Sequence, residues 1–261
     1  MVFTVPGEHS FWAPSVIELD GTYYMYCSYE FFGDTPDQGG HREALFVSQA
    51  DNPLGPFGQE KQILHPFSID SQIVQNESGL YLFYSTNTFE GDRIGTYIVV
   101  DKMLDPYTPA GHPVPVVVPT LDEEIFRRDR YKPGQHWHTI EGACYFREGD
   151  WQYVMYSGNC YLQPTYYIGY ARAKTDETDL TKIKFEKVPD DHTYAPVIRA
   201  NDWEEGTGHH SVIKKDGVWY AVYHARNVED DGFEGDRRNA RICRLEVKDG
   251  TITAHRYPDH I

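Results

Sequence analysis

The chain is poor in cysteine. Cys27, Cys144, Cys160 and Cys243 are its only four among 261 residues, widely spaced and without a C-x-x-C pair. That pattern excludes a disulfide framework and a thiolate zinc site. The thiols read as reduced, which fits a cytoplasmic protein. Positive charge is scarce as well: Lys and Arg total 24 against 40 Asp and Glu, a formal net charge of −16. Phosphate backbones and anionic lipid surfaces both need a basic patch, so neither nucleic acid nor membrane is an expected partner. A neutral sugar polymer is compatible with this charge. No apolar run approaches the ~18 residues of a membrane span. The opening MVFTVPGEHSFW has no basic n-region and no long apolar h-region, which again reads as cytoplasmic. No long helical pattern occurs; DEEIFRRDRY at 122–131 reads as one helical turn or a loop. Linkers and low-complexity segments are absent too, so residues 1–261 are expected to form one domain, a length all-β barrels and propellers use.

What the chain does have is a repeat. WAPSVIELDGTYYMYCS (12–28), IDSQIVQNESGLYLFYS (69–85), IEGACYFREGDWQYVMYS (140–157) and GHHSVIKKDGVWYAVYH (208–224) share one grammar. A polar or small head leads into a short apolar strand. A glycine turn follows: Asp20-Gly21, Ser78-Gly79, Glu148-Gly149-Asp150 or Asp216-Gly217. An aromatic-rich alternating strand closes the unit. Asp-Gly between alternating runs predicts hairpins. Third strands follow at 44–50, 95–102, 166–173 and 240–247. Three or four strands per unit at this spacing predict propeller blades, with a β-sandwich as the lesser alternative. Polar heads on four inner strands would converge at one mouth of a central channel.

In sequence, the four heads resemble those of glycoside hydrolase family 43, a group of inverting five-bladed β-propeller enzymes. SFWAPSVIELDGTYYMYCS with VSQADNPLGPF looks like that family's second blade, FSIDSQIV its third, HWHTIEGACYFREGDWQYVMYSGNCY its fourth and GTGHHSVIKKDGVWYAVYHARN its fifth. Each motif alone is weak; four in order are strong. The expected fold is therefore all-β, a β-propeller of the five-bladed glycosidase type with four blade motifs visible. The resemblance implies Glu141 as general acid and Asp70 as the carboxylate that orients the acid and tunes it. It also implies His209 as a channel histidine beside an ion, and Arg238 as a substrate contact. The family's base, an Asp of the first blade, has no match. Either the chain starts at the second blade, or SFWAPSV stands for the first and Ala13 takes the place of that Asp. Glu8, Glu30, Asp34 and Asp37 are the remaining candidates for a base, unless a second subunit supplies one.

Inverting hydrolysis uses one carboxyl group to protonate the leaving oxygen and another to activate water, roughly 6.5–9.5 Å apart. Trp12, Trp137, Phe31 and Tyr161 are candidates for stacking on a sugar, and His138 for binding it. His136 and His138 frame Trp137 but lack a third ligand, so zinc is not expected. No cofactor is required. One imidazole is a poor calcium ligand, so Ca²⁺ or another ion at His209 would be held mostly through water. The implied substrate is an arabinose- or xylose-containing plant oligosaccharide, with α-L-arabinofuranosidase ahead of β-xylosidase. A carbohydrate-binding pseudoenzyme without a base and an enzyme completed by a partner subunit, such as a homo-oligomer, remain open beside it.

Overall fold

The computed structural model describes residues 11–30, 42–228 and 237–256. Its regular structure is almost entirely strand, and the chain divides into two compact units between which it passes repeatedly. The first holds the residues up to Thr88, Tyr97–Val116 and Glu177–Ile183; the second holds Phe89–Thr96, Val117–Asp176 and the chain from Lys184 on.

In the first unit, β1 (Phe11–Leu19), β2 (Thr22–Glu30), β3 (Glu43–Ala50) and β4 (Gly58–Gln62) form an antiparallel sheet in chain order. A second set follows: β5 (Ile69–Asn76), β6 (Gly79–Thr88) and β7 (Gly95–Asp105), with β8 (Thr108–Pro109) and β9 (Val114–Val117) paired along β7. Their inward faces meet in a core that includes Tyr26, Leu45, Val47, Leu82 and Val99. Each such burial stabilises by about 1.5–3 kcal/mol. Tyrosine suits this half-polar packing: Tyr26 is fully buried, yet its hydroxyl donates to the Pro106 carbonyl at 2.6 Å.

In the second unit, β11 (Trp137–Glu148), β12 (Trp151–Gly158), β13 (Tyr167–Lys174) and β14 (Glu186–Lys187) lie side by side, with β10 (Ile125–Arg127) along β11. β15 (Glu204–Lys215), β16 (Val218–Asn227), β17 (Asn239–Lys248) and β18 (Thr251–His255) make the last sheet. Their shared core includes Phe146, Met155, Ile168, Tyr223 and Leu245. The 122–131 stretch is split: a 3-10 turn at Asp122–Glu124 runs straight into β10. Glu124 is wholly buried there. It accepts from the Thr120 and Leu121 amides and pairs with the Lys187 ammonium at 2.5 Å.

The hairpins obey their turn chemistry. Asp20-Gly21, Asp216-Gly217 and Asp249-Gly250 all have positive φ at both residues, the type I′ pattern that matches strand twist. More telling is a device at the head of each first strand. The register slips between Trp12 and Ser15 in β1, Ile69 and Gln72 in β5, Glu141 and Cys144 in β11, and Gly208 and Ser211 in β15. Each slip holds one left-handed residue: Ala13 (φ 43°), Asp70 (56°), Gly142 (65°) and His209 (48°). A bulge bends its strand and re-aims the side chains beside it. The four polar or small heads read in the sequence are thus one backbone device, repeated.

Candidate active site

Glu141 precedes the left-handed Gly142 and lies opposite Ser157 of β12. Tyr166, fully buried at the mouth of β13, donates its hydroxyl to Glu141 Oε1 at 2.7 Å. The space for that ring exists because residue 208 is glycine. A Cβ there would lie 2.6 Å from Tyr166 Cζ and closer still to two other ring carbons. The Thr207 hydroxyl donates to the Tyr166 carbonyl at 3.2 Å and holds the same residue from the backbone side.

His209 is the next residue of β15. Its amide donates to Ser157 Oγ at 2.8 Å, and a ring nitrogen lies within 4.8 Å of a Glu141 carboxylate oxygen. Burial pushes the His209 imidazole below its ordinary pKa; the Glu141 charge pulls it partly back, and Arg238 pushes it down again. The ring is therefore neutral at pH 7. His224 of β16 stacks between Tyr166 and His209, with centroids 5.7 and 6.4 Å away and planes within 17° of parallel. In this unit one carboxylate and one imidazole face each other, two ligand groups against the six to eight oxygens calcium takes. An ion at His209 would depend on water for most of its shell.

The loop between β12 and β13 carries both Tyr161 and Tyr166. It is tied by the Gln163 amide to the Cys160 carbonyl (2.8 Å) and by the Asn159 side chain to the Glu123 carbonyl (3.0 Å). The Arg238 guanidinium lies 4.5 Å over the Tyr161 ring, so these two sequence candidates are brought together. Beneath them the buried Arg226 donates to the Tyr161 carbonyl at 2.7 Å, with Glu205 Oε1 3.5 Å from its Nε. Left-handed Gly206 makes room, since a Cβ would lie 2.6 Å from Arg226 Nη2.

The other candidates are placed as follows. In the first unit Asp70 is buried at the β5 bulge, and the adjacent Ser71 hydroxyl lies 3.5 Å from that of Ser15 on β1. Trp12 is half-buried, its carbonyl accepting from the Cys27 thiol. Glu30 ends β2 opposite Glu43. Glu8, Phe31, Asp34 and Asp37 lie outside the described residues. In the second unit Trp137 is only 2 % exposed, so it packs and offers no face to a sugar. His138 is buried with both ring nitrogens engaged, one 3.3 Å from the Ile94 carbonyl and one 2.9 Å from Arg93 Nη1; this ring pins the 93–94 segment to β11. His136 stands apart from it, accepting from the Asp129 amide. Sequence reasoning missed Tyr166, Ser157, His224 and Arg226. Tyr166 sits inside a run that reads as strand, and its only sequence signal is the glycine at 208 that clears its place.

Similar folds identify the architecture first. A crystal structure of a thermostable family-43 glycoside hydrolase matches 96% of this chain and 77% of its own, with TM-score 0.75 and 28% identity. An α-L-arabinofuranosidase from Lactobacillus brevis matches 94% of this chain and 74% of its own, with TM-score 0.75 and 21% identity. The fold is thus the all-β propeller type of these glycosidases. Residues 3–252 match the family described as "Glycosyl hydrolases family 43", and the chain belongs to that family. A curated relative, the extracellular exo-alpha-(1->5)-L-arabinofuranosidase of Streptomyces avermitilis, is 27% identical over 98% of this chain. The chain spans 54% of that relative's length, about half.

That relative overturns the expectation of a cytoplasmic protein and points to a secreted one. Free cysteines do not mark a compartment in this chain. All four thiols are buried, and burial pushes Cys27 and Cys243 up to about 11 and Cys144 and Cys160 up to about 12. Shielded, protonated thiols are inert whatever the redox state around the protein.

Proposed function

We propose that this protein is a glycoside hydrolase acting outside the cell on arabinose- or xylose-containing plant polysaccharides and their oligosaccharides, α-L-arabinofuranosidase in type ahead of β-xylosidase, with inversion. Glu141 is the general acid. The observation that carries this reading is the seat of Glu141 in a family-43 chain: Tyr166 fixes Oε1, and a neutral imidazole lies beside the carboxyl group. In that role Glu141 delivers a proton to the leaving oxygen, and Tyr166 holds the carboxyl group in one orientation for it. Asp70 retains its proposed role as the carboxylate that tunes the acid. Tyr161 under Arg238 forms a wall that combines an aromatic face with guanidinium donors, suited to a sugar's C–H face and hydroxyls.

The test is hydrolysis of aryl arabinofuranosides, aryl xylosides and short arabino- and xylo-oligosaccharides by wild type and Glu141→Gln. Turnover that collapses in the variant supports the reading. Undiminished turnover in Glu141→Gln would remove Glu141 from its role. A second reading, a carbohydrate-binding protein without turnover, is favoured by one observation: Ala13 occupies in β1 the left-handed bulge position that Asp70 holds in β5. Sugar binding with no hydrolysis of any of these substrates would select it.

A further inference from the structure

Around the buried Trp137, two segments present rings to solvent. Phe89 and Tyr131 are each 47% exposed, with centroids 5.3 and 5.9 Å from that of Trp137 and 6.1 Å from each other. Two large exposed aromatics side by side are unusual on a surface unless something covers them. Both segments are held in place. Arg93 bridges His138 and Asp122, each at 2.9 Å, and so fixes the segment that follows Phe89. The Tyr131 loop is closed by the Arg130 amide to the Gln135 carbonyl (2.9 Å) and the Gly134 amide to Asp129 Oδ1 (2.6 Å). The Arg130 guanidinium lies 4.4 Å over Trp137 and 5.4 Å over the Tyr131 ring. The rings are preorganised, so a ligand would bear little of the ordering cost.

Position ties this surface to Glu141. Trp137 and Glu141 share β11, four residues apart; on the β12 side the register slips only after Glu141, and the slip on the β10 side, between Ile125 and Arg127, puts its extra residue in β10 and leaves β11 continuous. Strand residues an even number apart point to one face, and four residues span roughly 13 Å. The platform built on Trp137 therefore lies on the Glu141 face of the strand, a few sugar residues away. Local charge indicates the ligand class. Within a chain of net charge −16, and leaving aside the buried Glu124, the 89–93 and 122–132 stretches together carry five acids (Glu90, Asp92, Asp122, Glu123, Asp129) and five bases (Arg93, Arg127, Arg128, Arg130, Lys132). Exposed rings in a balanced field suit an uncharged chain that offers C–H faces for stacking and hydroxyls for the surrounding guanidiniums.

We propose that Phe89 and Tyr131 form a stacking platform for a neutral polysaccharide, binding the part of the chain that extends away from the bond at Glu141. The proposal rests on the hydrolase reading for the position of that bond. It makes the polymer, rather than a terminal disaccharide alone, the ligand this protein grips.

Retardation in native gels containing linear arabinan or arabinoxylan reads binding without turnover, and aryl arabinofuranoside hydrolysis reads the chemistry alone. The variants are Phe89→Ala/Tyr131→Ala and Phe89→Leu/Tyr131→Leu; the leucines keep Trp137 covered but carry no ring face. The expected result is wild-type retardation, weakened about tenfold in both double variants for the loss of two stacking faces, with aryl-glycoside kcat/KM unchanged and KM for the polymer raised. Wild-type mobility unaffected by either polymer, or leucine variants retarded as strongly as wild type, would overturn the platform. Failure of the hydrolase reading shows separately, as absence of aryl-glycoside turnover in a wild type that the gels still retard.

Discussion

Replacing Gly208 by alanine tests how the site is assembled. The new Cβ would lie 2.6 Å from Tyr166 Cζ and nearer to two other ring atoms, whereas carbon contacts settle at about 3.5–4.0 Å. The ring is fully buried and the obstacle is a backbone-anchored methyl, so Tyr166 must retreat by about 1 Å or more. Overpacking of this kind costs about 1–3 kcal/mol. The displacement also breaks the 2.7 Å hydrogen bond to Glu141, which is worth about 0.5–1.5 kcal/mol net to a protonated acid. Urea unfolding followed by tryptophan fluorescence measures the sum. Gly208→Ala should lower stability by about 1.5–4.5 kcal/mol and reduce turnover at least as far as Tyr166→Phe, which removes only the hydroxyl. The decisive comparison is the cycle with Tyr166→Ala. Once the ring is gone, the methyl has nothing to strike, and Gly208→Ala should cost over about 1 kcal/mol less than in the wild type. Additive effects would refute the reasoning, because they would mean that residue 208 is not glycine on account of Tyr166.

Two further predictions concern buried charge. Lys187→Met leaves the wholly buried Glu124 without its cation and should destabilise the protein by about 3–5 kcal/mol in urea unfolding, while Lys187→Met with Glu124→Gln recovers most of the loss. His210 is 5 % exposed, and burial, then the neighbouring His209, lowers it from 6.5 to about 3. Below pH 6.5 the unfolded chain takes up a proton that the native chain refuses. The stability present above pH 6.5 is therefore lost as pH falls toward 3, by about 2 kcal/mol at pH 5. Unfolding at pH 7, 6 and 5 checks this: His210→Leu should flatten the slope by about 1.4 kcal/mol per pH unit, and an unchanged slope would rule out His210 as its source.

The repeat was legible because its signals are local. Asp-Gly turns and alternating aromatic strands fix hairpins within about twenty residues, and the hairpins appear where the grammar places them. Glu141 and His209 were candidates because they head those strands, Tyr161 because it closes the fourth-blade motif, and Arg238 by the family resemblance alone. What could not be read lies in contacts between strands remote in sequence. Tyr166 and Gly208 are 42 positions apart, and only the fold puts a ring where a Cβ would be. Trp137 looked like a sugar-stacking residue because it flanks the acid's motif, but strand alternation turned it under Phe89 and Tyr131. His138 carries the right chemistry for a sugar contact, yet both ring nitrogens are taken by Ile94 and Arg93. The cytoplasmic expectation failed for a different reason: unpaired cysteines report burial here, not compartment.

The central claim is that Glu141 gives a proton to the departing oxygen. The most direct test is kcat/KM for a series of aryl arabinofuranosides of increasing leaving-group acidity, measured with wild type and Glu141→Gln. A poor leaving group needs the proton and a good one departs without it. The variant should therefore lose most of its rate on the least acidic phenols and approach wild type on the most acidic. An equal loss across the whole series would contradict the assignment and make Glu141 a group that binds or orients the sugar.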